Sequence, residues 1–146
     1  MAVIKTFRGM ITDENQDTIV LHTNNGTTGY RIVKFQIINR GPPGNLNTEA
    51  VVKIYKTPQS TVDGVINFSD NRLLAVAYYA EGTSPGVGQG QTVIFDSEIF
   101  NQDIYVTYKD TDTSENYCNY YIELEQLPLD LGESTVATLK DIRNND

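Results

Sequence analysis

A chain of 146 residues fits one domain and can bury about two-thirds of its unfolded surface in a single core, with no disulfide or metal needed to reach that. Its net charge of −8 argues against a nucleic-acid partner and against an anionic membrane surface, both of which call for a basic patch. The 39% hydrophobic content is above that of a disordered chain.

Charge is spread unevenly. Residues 1–95 hold eight basic and seven acidic side chains, whereas residues 96–146 hold three basic and twelve acidic. Such a bias serves solubility, or it marks an acidic face that meets a basic partner. The opening "MAVIKTFRGM" lacks the long apolar region of a secretory leader, and no apolar run approaches the roughly 20 residues of a membrane span. Synthesis and folding in a cytoplasm are therefore expected, and the sequons at Asn25 and Asn67 carry no meaning there.

Strand signals recur along the chain with polar turns between them. They predict strands at Val3–Ile11, Thr18–Thr23, Tyr30–Asn39, Ala50–Lys56, Arg72–Glu81, Gln91–Phe95, Ile104–Lys109 and Cys118–Leu127. The stretch "TNNGTTG" around Asn25-Gly26 reads as a hairpin loop between the second and third of these. In the third, Val33, Phe35 and Ile37 share one face, with Lys34 and Gln36 opposite. "NRGPPGNLN" then breaks the sheet. "PQSTVDGVINFSDN", carrying Val65, Ile66 and Phe68, reads as a long connection folded back on the sheet edge. The fifth strand, "RLLAVAYYA", is apolar on both faces, which predicts cover on both sides within the fold. "EGTSPGVGQGQ" follows as a glycine-rich loop. After Pro128 the period changes: Val136, Leu139 and Ile142 fall at helical spacing behind Ser134 as N-cap, predicting one short C-terminal helix. The whole is an all-β, about eight-stranded antiparallel sandwich, jelly-roll-like, filling residues 1–146 as a single domain.

Catalytic and metal-binding patterns are scarce. His22 is the one histidine, and a histidine-clustered jelly-roll metal site of the cupin kind needs several. Cys118 is the one cysteine, so no intrachain disulfide forms; it sits inward on its strand and reads as a small core residue. Ser84 falls within the letters Gly-x-Ser-x-Gly, but not in the strand-to-helix setting of a hydrolase, since the glycine-rich loop runs on into the next strand. Asp96 with Glu98, and Glu123 with Glu125, lie two apart as glycosidase carboxylates could, but such a pair needs a deep cleft. "GVGQG" lacks the Lys-Ser/Thr ending of a phosphate loop. "DTDTSEN" begins like a calcium loop, yet its sixth position is Glu115 rather than glycine and its twelfth is Tyr121 rather than glutamate. The expectation is a protein that is not an enzyme and holds no metal or cofactor.

Nine tyrosines and no tryptophan suggest a different kind of work. Tyrosine offers large contact area, a polar tip and little entropy to lose. Tyr78-Tyr79 and Tyr120-Tyr121 each place one ring on either face of a strand. In "NYYIELEQ", Tyr120, Ile122 and Leu124 then point inward, and Tyr121, Glu123 and Glu125 form an outward stripe. That stripe is the candidate protein-contact site, with Tyr121 as its anchor.

Two stretches, "VIFDSEIFNQDIYVTYKD" (Val93–Asp110) and "YCNYYIELEQLPL" (Tyr117–Leu129), together with the closing "ATLKDIRN", resemble small virion structural proteins of tailed bacteriophages, especially those of cyanobacteria and other aquatic bacteria. The resemblance covers about the last third of the chain. It implies a head decoration (cement) protein: a ligand-free β-sandwich on the outer surface of the head, made in the host cytoplasm. Its partners would be the major capsid protein and its own copies, commonly as a homotrimer, with no nucleic acid and no membrane. The alternatives are a tail, neck or fibre-associated component, or a carbohydrate-binding module for host adhesion.

Overall fold

The computed structural model describes residues 3–23, 26–39, 48–81, 90–110 and 117–130. Within them lie eight strands: β1 (Val3–Thr12), β2 (Asn15–Ile19), β3 (Thr28–Asn39), β4 (Thr48–Tyr55), β5 (Leu73–Glu81), β6 (Gly90–Phe95), β7 (Ile104–Asp110) and β8 (Tyr117–Pro128). They form two antiparallel sheets, ordered β1-β8-β3 and β2-β7-β4-β5-β6. The first strand pairs with the last, the second with the seventh, and the fourth with the fifth, which is jelly-roll winding. The sixth strand departs from it. Instead of closing on β3 it pairs with β5, and the Gln91 side-chain amide reaches across, donating to the Ile37 carbonyl at 3.2 Å.

Period-two alternation builds the core. From the three-stranded sheet come Ile11, Phe35, Ile37, Cys118, Tyr120, Ile122 and Leu124; from the five-stranded sheet, Ala50, Val52, Ile54, Ala75, Ala77, Ile104, Val106 and Tyr108. Ile122 and Leu124 are fully buried, each worth about 1.5–3 kcal/mol relative to exposure. Small Ala75 and Ala77 share this core with the large rings of the opposite sheet, as interdigitated layers require. The Tyr120 hydroxyl donates to Asp17 on β2 at 3.0 Å, tying the two sheets together at this end.

Three sequence expectations are corrected. The second strand is Asn15–Ile19 rather than Thr18–Thr23. Beyond Ile19 the Asp103 carboxylate accepts from the backbone N–H groups of Leu21 (2.8 Å) and His22 (3.0 Å), so a side chain takes the ladder's place. β2 and β3 are not joined as a hairpin, because they belong to different sheets; Asn25 itself lies outside the described residues. And Val33 does not share the face of Phe35: the β3 register slips between Ile32 and Lys34, a bulge that turns Ile32 inward (3% exposed) and leaves Val33 37% exposed.

The fifth strand is buried on both faces from Leu73 to Ala77 and only partly from Tyr78 onward. Ala75 and Ala77 meet the core, while Leu73 and Val76 form a second small cluster with Tyr55 on the outer face. The connection from β4 to β5 crosses that outer face. Buried Lys53 holds it there, donating to Asp63 at 3.0 Å and to the Val65 carbonyl at 2.6 Å. The expected helix after Pro128, the glycine-rich loop at 82–89 and the calcium-like stretch beyond Asp110 lie outside the described residues.

Candidate contact surfaces

β8 runs between β1 and β3, so its outward side chains stand in the middle of an exposed face. The register lays that face out in cross-strand rows: Ile4–Glu125–Arg31, Thr6–Glu123–Lys34, Arg8–Tyr121–Gln36 and Met10–Asn119–Ile38. The structure thus brings Tyr121, Glu123 and Glu125 together on one outer stripe, each half-buried, with Tyr120, Ile122 and Leu124 beneath.

The stripe is not a bare acidic patch. Arg31 pairs with Glu125 at 2.8 Å. The Tyr121 hydroxyl donates to Glu123 at 2.7 Å, and this bond to a carboxylate raises the phenol's pKa. Lys34 stands over the Tyr121 ring, 5.6 Å from its centroid, where a cation is attracted to the π-face. The glutamates therefore face cations of their own sheet, and the face as a whole is close to neutral. Its apolar end was not visible in the sequence. Met10 is 50% and Ile38 71% exposed, and both line a shallow hollow of about 470 Å³ with Arg8, Gln36 and Tyr121. Only strand pairing reveals that residues so distant in sequence lie in adjoining rows.

A second surface lies on the outer face of the five-stranded sheet, where the β4–β5 connection stops short of β6. An open cleft of about 610 Å³ runs there between Phe68 and Ile94 over Leu73 and Val76. At its rim Lys56 donates to both oxygens of Glu98, at 3.0 and 3.2 Å. Asp70 accepts two bonds from the Arg72 guanidinium, at 2.9 and 2.8 Å, and Asp96 is exposed beside them. Nothing in the sequence marks Phe68 as a site residue; its 68% exposure follows from the connection being pinned at Lys53 rather than through its own apolar side chains.

The chemically capable groups elsewhere are engaged structurally. His22 Nδ1 lies 2.7 Å from Asp103, where both serve the chain crossing after β2. Cys118 is buried, and that burial, with Asp110 nearby, pushes its thiol up to about 12. Among the described residues no three His, Cys, Asp or Glu side chains gather as metal ligands would. No protein-family model matches the chain, and no curated protein is significantly similar to it.

Proposed function

We propose that this protein is a non-enzymatic structural component of a tailed-phage virion, a decoration protein that braces the head shell through the outer face of its three-stranded sheet. The observation that carries the reading is the layout of that face: a tyrosine at the centre, exposed Met10 and Ile38 at one end, and charges already balanced within the sheet. Interface cores are enriched in Tyr, Met and Arg and depleted in Lys and Glu, so Tyr121 with the Met10–Ile38 end would form the centre of the contact and Glu123 and Glu125 its rim. A flat face of this kind suits a broad protein partner, the major capsid protein. The resemblance of the last third of the chain to phage virion proteins supplies the setting. Several copies joined by symmetry would bind such a shell with avidity about 10² to 10⁴ above that of one copy.

Tyr121→Ala tests the surface. An anchor of this kind costs about 2 kcal/mol when truncated, or roughly 30-fold in affinity for empty shells. The variant should melt with the wild type, because the ring stands on the outer face of the sheet. Equal binding by variant and wild type would assign this face to water. Heads lacking the protein should release DNA at lower temperature than complete ones, with tails unaffected.

A further inference from the structure

Both sheets end in open strands. Among the described residues β1 has no neighbour beyond β8, and β6 has none beyond β5. An edge strand with unpaired backbone groups invites another strand unless it is short, charged throughout or covered. β1 is ten residues long, and Val3 and Ile4, on opposite faces, are each 46% exposed. β6 presents Ile94 on its outer face at 48% exposure.

The two edges differ in charge. β1 carries Lys5 and Arg8 and no acidic residue, and β6 carries no charge but runs directly into Asp96. Beside β6 lies the Phe68–Ile94 cleft, whose rim gathers Asp70, Asp96 and Glu98, with Arg72 on the first and Lys56 on the last. Pairing β1 with β1 would bring like charges together. Pairing β1 with β6 sets cations on a carboxylate rim and Val3 or Ile4 against Phe68 and Ile94. The edges cannot meet within one molecule. β2, which pairs with β7 beneath the β1 side of the sandwich, stands four strand spacings from β6, about 19 Å.

We propose that the β1 edge of one copy docks along the β6 edge and the Phe68–Ile94 cleft of a second copy, head to tail. Such a heterologous contact closes into a ring when the rotation permits, and strand addition supplies main-chain hydrogen bonds while the cleft supplies the side-chain anchor. The proposal does not depend on the phage setting, and of the Tyr121 face it uses only the β1 border, Ile4 and Arg8.

Disulfide trapping tests it. A chain carrying Ile4→Cys mixed with one carrying Ile94→Cys should form disulfides between the two variants under mild oxidation, with buried Cys118 silent. Bonds that join only two copies of the same variant, or none with the protein sedimenting as a monomer, would overturn it. In sedimentation, Lys5→Glu with Arg8→Glu should weaken self-association roughly tenfold or more, and an Asp96→Lys partner should restore it. Unchanged association would count against the contact. Trapping changes no charge, so it decides the matter even where reversal perturbs the fold.

Discussion

Gly9 stands opposite Tyr120 in the β1–β8 register, and a Cβ there would lie 2.9 Å from the Tyr120 hydroxyl oxygen and 3.1 Å from its ring. The ring cannot retreat without breaking its bond to Asp17, so Gly9→Ala should destabilise the fold by about 1–3 kcal/mol, read as a lower urea midpoint with unchanged slope. Burial also raises the Tyr120 phenol's pKa, which keeps it a donor to Asp17 into alkaline solution. Cys118 poses a second test at this scale. With its thiol pushed up to about 12, it should resist a thiol reagent at pH 8 in the native state and react at once after unfolding. Rapid native labelling would place it at the surface. The inward position of Cys118 was legible from alternation alone; the cost of touching Gly9 was not, because it depends on which strand lies alongside.

At the scale of elements, strands with strict alternation were legible and those held by side-chain hydrogen bonds were not. β8 and β7 stand out in the sequence because apolar residues recur at every second position, from Cys118 to Leu124 and from Ile104 to Tyr108. β2 does not, because Asn15, Gln16 and Asp17 look like a turn, yet pair with Tyr108, Thr107 and Val106 of β7. Gln16 further accepts from the Gln59 backbone at 2.9 Å, and Asp17 accepts from Tyr120. The β4–β5 connection belongs here too. The Lys53 hydrogen bond holds Asp63 below the ordinary carboxylate range, and Arg72 does the same for Asp70. A carboxyl whose pKa is depressed on folding stabilises the fold above its unfolded value, about 3.9, and loses that contribution as pH falls through the lowered one. Protection of amide hydrogens in residues 57–72 should therefore hold from about pH 7 to about 4 and fall below it. Lys53→Met should remove Asp63's share of that acid sensitivity, since it takes away the partner that depresses it, and leave the share that Arg72 gives Asp70. An identical pH profile in the variant would show that another contact anchors the connection.

For the whole molecule, strand number, sandwich class and the jelly-roll-like winding were readable, and the place of the sixth strand was not. Nothing in "GQTVIF" says that β6 joins β5 and reaches β3 through the Gln91 bridge. The stripe Tyr121, Glu123 and Glu125 was readable as an outward row, but its electrostatic character was not, because Arg31, Lys34 and Arg8 are brought to it by two other strands. The charge balance changes what that face can do. A bare acidic stripe would bind by steering a basic partner and would weaken steeply with salt. A balanced face with Met10 and Ile38 at one end would hold its partner through buried apolar contact, and its affinity should change little with added salt.

A head component bound through that face must be present in many copies. Quantitative mass spectrometry of purified virions, from a phage whose genome encodes this chain, tests this most directly by counting copies per particle. Hundreds are expected, scaling with the number of capsid subunits and falling sharply when the chain carries Tyr121→Ala. A count of about six to a dozen, the number set by the symmetry of a neck or baseplate, or none at all, would contradict it.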